Sequence, residues 1–263
     1  MNLNLTGKVF IVTGAAKGIG RGIALALAKE GAIPVIAGRK QEDNKIVEQE
    51  ILSLGGSCIC VEAELSNPEE SKIAVEVALA HYGRIDGVIN NAGQNDGVGL
   101  ENGSYEGFIE SYHKNVVHYY LTVQHALEAL KETKGTILNI SSKTAETGQG
   151  GTSGYAAANG ARNALTREWA VELLPYGIRV NAIVVAECAT PQYDTWIKTL
   201  DNPTETLKKI TDRIPLENRM TTVEEIANTA VFLLSDCSSH TTGQLIHIDG
   251  GYVHLDRALI KES

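Results

Sequence analysis

The run Thr13-Gly14-Ala15-Ala16-Lys17-Gly18-Ile19-Gly20 has the clearest chemical meaning in this 263-residue chain. Its glycines permit a tight turn and let backbone N–H groups close on an anion, and the helix pattern that follows over 21–30 points its N-terminal dipole at the same place. A glycine-rich run alone often serves only a turn. Here an apolar run at 8–13 precedes it, which is the strand-to-helix setting of a pyrophosphate cradle. Gly14, Ala16, Lys17, Gly18, Ile19 and Gly20 are therefore expected to hold a dinucleotide. Charge bears on which one. An acidic residue ending the second strand would bind a ribose 2′-hydroxyl and repel a 2′-phosphate. Gly38 stands there, followed by Arg39 and Lys40, with Lys17 in the loop. That set favours NADP. With NAD, the alternative, Arg39 would stack on adenine and Lys40 would be solvated.

The elements that must position these residues repeat along the whole chain. Short apolar runs at 8–13, 33–38, 57–61, 86–90, 135–140, 178–183 and 244–248 alternate with amphipathic helical stretches. Runs apolar at successive positions suit strands buried on both faces of a parallel sheet. The expectation is one α/β domain over 1–263, a Rossmann-type doubly wound parallel sheet of about seven strands with helices on both faces. Two start signals are readable: Asn67 with Pro68 and Glu70, and Thr222 with Glu225. The polar loop 142–153 and the stretch 184–216 follow strands directly, and the second is expected to form a substrate loop or lid.

Composition narrows the partners. A net charge of −9 argues against nucleic acid or an anionic membrane surface. The cysteines, Cys58, Cys60, Cys188 and Cys237, lack zinc spacing, so no metal is expected. No apolar stretch reaches membrane-spanning length and no signal-peptide pattern is present, so a cytoplasmic location is the default.

The Thr-Gly-x3-Gly-x-Gly spacing, Asn90-Asn91-Ala92-Gly93 and Ile248-Asp249-Gly250-Gly251 together resemble the short-chain dehydrogenase/reductase family over nearly the whole chain. The resemblance implies that Asn91, Ala92 and Gly93 flank the cofactor, with Asn90 as much structural as binding. It also places Glu64 and Leu65 near adenine, although the family's usual Asp is Glu here. Cys188 and Thr190 fall where the family bonds the nicotinamide carboxamide. Ser142 then orients the substrate carbonyl, Tyr155, thirteen residues on, is the general acid/base, and Asn115 anchors a relay water. The family packs the helices bearing Asn115 and Tyr155, and the tail 252–263, at subunit interfaces, so a homotetramer is expected.

One member of the set is absent. The family's Tyr-x3-Lys reads Tyr155-Ala156-Ala157-Ala158-Asn159. Positions i and i+4 share a helix face, so a cation at 159 would lie beside the phenol. An ammonium about 5 Å away at an effective dielectric near 20 contributes roughly 3 kcal/mol. Asn159 supplies neither that charge nor the reach to the ribose, and impaired activity is expected. Three origins stand open: an engineered change, a natural loss, or a compensated one. Arg162, on the same face, is the one nearby source of compensating charge.

The expected substrate rim is polar, with Gln94, Asn95, Glu146, Gln149, Glu187 and Gln192 beside Tyr193 and Trp196. Rings flanked by amides and carboxylates suit a polyhydroxylated sugar better than a steroid or fatty chain. The segments 186–199 and 251–259 look similar to L-fucose dehydrogenases and related aldose dehydrogenases of the family. That likeness implies hydride transfer from the anomeric carbon of a free sugar. A non-catalytic NADP-binding protein and a reductase of small ketones are the alternatives.

Overall fold

A computed structural model describes residues 2–256. Its centre is a seven-stranded parallel sheet in the order β3-β2-β1-β4-β5-β6-β7. The strands are β1 (Val9–Thr13), β2 (Ile33–Gly38), β3 (Ile59–Glu62), β4 (Gly87–Asn90), β5 (Thr136–Ser142), β6 (Arg179–Val185) and β7 (Leu245–Ile248). The helices are α1 (Gly18–Lys29), α2 (Gln41–Ser53), α3 (Ile73–Tyr82), α4 (Tyr105–Tyr112), α5 (His118–Thr133), α6 (Ser153–Glu172), α7 (Pro191–Ile197), α8 (Pro203–Thr211) and α9 (Val223–Leu234).

The uninterrupted apolar runs are explained by what lies on each side of the sheet. In β1, Phe10 and Val12 pack with Ile23 and Leu27 of α1 and Ile226 of α9. Val9 and Ile11 face the other way, toward Ala74 of α3, Tyr119 of α5 and Trp169 of α6. Alternate side chains thus enter two separate cores, and neither face tolerates a polar residue.

Three expectations are revised. Asn67 and Pro68 do not begin α3, which starts at Ile73. The Glu70 side chain accepts instead from the Glu64 amide at 2.7 Å, and residues 67–73 wind through i to i+3 bonds (Glu70 N to Asn67 O, 3.0 Å; Ile73 N to Glu70 O, 3.1 Å). The helical pattern around 104–130 is broken by a π turn at His113–Val117 between α4 and α5. The stretch 184–216 is less a loop than the end of β6 followed by α7 and α8. The reciprocal Thr222–Glu225 box does open α9. Of the tail 252–263, residues 257–263 lie outside the described residues.

Candidate active site

The strand order reverses between β1 and β4, and a crevice opens there beyond the carboxyl ends of the strands. The glycine-rich turn occupies it. Gly14 has φ +64°, and a Cβ on it would stand 2.9 Å from the Ala92 Cα. Asn91 braces the turn from below, its Nδ2 donating to the carbonyls of Thr13 (2.9 Å) and Gly14 (3.2 Å). The Thr13 hydroxyl in turn accepts from the Asn91 and Ala92 amides at 2.8 and 3.1 Å. At the start of α1, Lys17 is the N-cap, with no side-chain cap and no acidic residue in the first turn. Those N–H groups lack an intrahelical partner and point out of the turn, which fits a dinucleotide pyrophosphate. Asn90 is a strut instead: its Nδ2 donates to Asn139 Oδ1 at 3.0 Å, inside the sheet.

The adenosine end reads differently in three dimensions. Gly38 is small because the buried Asn44 side chain fills the space a Cβ would take, while Asn44 Nδ2 donates to the carbonyls of Gly38 (3.1 Å) and Val61 (3.0 Å). Its size therefore has a packing cause independent of any phosphate. Lys17 Nζ pairs with Asp43 at 2.7 Å, and Arg39 approaches Glu64 at 3.9 Å. Leu65 is buried in the core beside Val61 and Ala74.

The catalytic candidates come from three elements. Ser142 ends β5, and its Oγ accepts from the Thr144 hydroxyl at 3.1 Å. Tyr155 is half-buried in the first turn of α6. Asn115 sits in the π turn, fully buried, its Oδ1 accepting from the Gln94 amide at 2.8 Å. Asn159 is also fully buried, and both ends of its amide are engaged: Nδ2 donates to the Tyr155 carbonyl at 2.8 Å and Oδ1 accepts from Arg162 at 2.9 Å.

Arg162 is the residue whose place the sequence left least determined. It is 3% exposed, and its guanidinium donates to the Asn115 carbonyl (2.7 Å), the Ile140 carbonyl (3.1 Å) and Asn159 Oδ1 (2.9 Å). It stacks on the Tyr119 ring at 4.4 Å and lies 6.0 Å from the Tyr155 ring centroid. Gly93 makes room for it, since a Cβ there would meet Nη2 at 2.6 Å. A buried cation among neutral acceptors projects its charge on whatever is near. His118 registers the field: burial, then Arg162, pushes its imidazole down to about 3.

On the substrate side, Lys143, one residue past Ser142, forms a nearly buried ion pair with Glu187, and its ammonium lies 4.1 Å from the Tyr252 ring centroid. Sequence reasoning missed Lys143; its place directly after Ser142 was the available signal. Tyr193 meets Trp196 edge-on at 5.1 Å, and burial together with the Glu187 carboxylate pushes the Tyr193 hydroxyl well above its ordinary value. Gln149, Gln192 and Trp196 are exposed, and Gln94 is half-buried. Thr190 Oγ1 caps α7 by accepting from the Tyr193 amide at 3.2 Å. Cys188 is buried, which pushes its thiol up to about 12, so it offers its backbone rather than a reactive sulfur. Glu146, expected on the rim, is bonded to His247 at 3.0 Å.

Comparison with known proteins agrees with this arrangement. The family model described as Enoyl-(Acyl carrier protein) reductase matches residues 14–253. The L-fucose dehydrogenase of Bos taurus is 32% identical over 95% of this chain and 91% of its own length. The 3-oxoacyl-acyl-carrier-protein reductase of Thermotoga maritima is 33% identical over 95% of this chain and all of its own. The crystal structure of the dehydrogenase Cj0485 superposes with a TM-score of 0.94 at 47% identity, covering 100% of both chains. The protein is an oxidoreductase and belongs to the short-chain dehydrogenase/reductase family.

Proposed function

We propose that the protein transfers hydride between NADP and a sugar or small polyol, with an aldose of the L-fucose type as the first substrate to test, and that it works in the cytoplasm. The observation that carries this reading is the group formed by Asn115, Tyr155, Asn159 and Arg162, which the π turn and α6 bring together behind the end of β5. A bound nicotinamide supplies the hydride acceptor. In the oxidative direction the Ser142 hydroxyl holds the substrate oxygen, and the Tyr155 side chain takes its proton as the C–H hydride departs. Asn115 holds the backbone of the Gln94 segment beside the pocket and anchors the water that passes this proton outward. Asn159 contributes no charge, so turnover is slower than with lysine, and the Arg162 cation offsets part of the deficit.

The preference for NADP rests on Lys17 and Arg39. Both are mostly exposed and held only by surface ion pairs, which a 2′-phosphate can displace. The polar rim of Gln94, Gln149, Glu187 and Gln192, with the Lys143–Glu187 pair beneath it, supports a hydroxyl-rich substrate. The rod of α4 and α5 exposes Tyr105, Phe108, Ile109 and Tyr120, which supports a homotetramer with twofold symmetry. A monomer by light scattering at micromolar concentration would refute that assembly.

The test is a panel of aldoses and alcohols assayed with NADP and NAD, on this protein and on Asn159→Lys. The expected result is an aldose among the best substrates and tighter binding of NADP than NAD. Binding of either dinucleotide with no turnover by both proteins would favour a non-catalytic role.

A further inference from the structure

Two histidines and a carboxylate converge where the sequence gives no metal-binding spacing. Glu146 follows β5, His247 lies on β7, and His254 lies on the tail beyond it. Glu146 Oε2 is 3.0 Å from His247 Nε2. The His247 and His254 rings meet at right angles with centroids 4.3 Å apart. One ligand atom from each residue lies within 4.8 Å of the other two. Around a tetrahedral zinc with bonds of about 2.0–2.1 Å, neighbouring ligand atoms stand roughly 3.3 Å apart. His254 is exposed, so a rotation of its side chain closes the remaining distance, while His247 is fixed by the sheet.

The carboxylate is oriented from behind, as metal ligands usually are. Glu146 Oε1 accepts from Asn163 Nδ2 at 3.4 Å, and Asn163 Oδ1 accepts from the buried Ser141 hydroxyl at 2.6 Å. A histidine–glutamate hydrogen bond alone would account for Glu146 and His247. It gives no reason for a second imidazole to bring its nitrogen to the same point from a segment beyond the sheet. The side chains of His247 and Glu146 remain 17% and 25% exposed, so an ion has a way in.

We propose that Glu146, His247 and His254 form a zinc-class divalent metal site with water in the fourth position, fastening the tail after β7 to the loop that follows Ser142. Two imidazoles and one carboxylate suit zinc, where an all-oxygen set would suit magnesium or calcium. The bound ion holds His254, and with it the segment in which Tyr252 lies over Lys143. The expectation of no metal came from the cysteines, and the site uses none of them. It stands independently of the substrate reading above.

The experiment uses the full chain freed of metal by chelation. Zinc chloride is titrated calorimetrically, bound zinc is counted after gel filtration, and cobalt chloride reports coordination by its visible absorption. Expected are one zinc per chain, a melting temperature raised by roughly 5 °C at 100 times the dissociation constant, and release at pH 5, where imidazole protonates. His254→Ala and Glu146→Gln should each weaken binding at least tenfold, with far-ultraviolet dichroism and metal-free melting temperature unchanged. His240→Ala, a surface control outside the cluster, should bind like the parent. Absence of zinc binding at micromolar concentration, or undiminished binding by His254→Ala, would overturn the proposal.

Discussion

Arg162 donates to the side-chain oxygen of Asn159 at 2.9 Å, across one turn of α6, and this bond settles the direction in which the asparagine faces. Its amide is turned back along the helix toward Arg162 and the Tyr155 carbonyl. In the family pattern this position carries the ammonium, whereas here the nearby charge enters from one turn further along.

Removing the Arg162 charge is expected to slow catalysis more than it weakens dinucleotide binding. A unit charge 6.0 Å from the Tyr155 ring centroid, at an effective dielectric of about 20, is worth roughly 2–3 kcal/mol. Arg162→Met should therefore lower kcat at pH 7 by about 10–100-fold and displace the rising limb of the pH–rate profile to higher pH. Arg162→Lys should restore part of both. A loss in Arg162→Met that is equal at every pH would assign Arg162 a purely structural role.

Asn159→Lys is expected to raise the rate at pH 7 at least tenfold, with the gain shrinking toward pH 10. The same change removes the acceptor of Arg162 and puts a second cation beside it, so the melting temperature should fall. Steady-state kinetics across pH 7–10 and a thermal melt read both effects. An unchanged rate would mean that Asn159 is not the limiting defect.

His118 should make stability depend on pH. Its imidazole is fully buried and held well below the ordinary value of 6.5, at about 3, by burial first and Arg162 second. As pH falls through 6.5 the unfolded chain takes up a proton that the folded chain refuses. The stability is complete above about 6.5 and is lost progressively toward 3. His118→Gln should melt with a shallower slope between pH 7.5 and 4.5, and parallel slopes would contradict this account.

Asp43→Asn is expected to strengthen NADP binding by up to about fivefold, because it frees Lys17 from an exposed ion pair worth at most about 1 kcal/mol. NAD binding should change by less than twofold. Fluorescence titration of both cofactors checks it, and an equal effect on the two would disconnect Lys17 from the 2′-phosphate.

The strands were legible because each crosses a sheet buried on both sides, so a run such as Val9-Phe10-Ile11-Val12 has one stable setting. The glycine-rich turn was legible for the same local reason: its spacing and its structure occupy one short stretch of chain. Relations between distant segments were not. Arg162 meets Asn115 across 47 residues and Glu146 meets His247 across 101, and no periodicity records either contact. Gly38 was read as room for a phosphate because its neighbours in sequence are cations, while its neighbour in space is Asn44. Asn67 misled because a capping motif specifies that the chain will turn, and says little about how far the turn continues.

The π turn at His113–Val117 has a consequence for what the gene can lose. A π turn carries one residue more than an ordinary helical turn, so it works as a phase shifter between α4 and α5. Deleting a single codon from it would restore a regular helix and swing α5 by about 100° about its axis. Tyr119, Thr122 and Val123 would then leave the face they bury, and Asn115 would withdraw the carbonyl that Arg162 holds at 2.7 Å. This stretch should accept point substitutions far more readily than single-residue deletions.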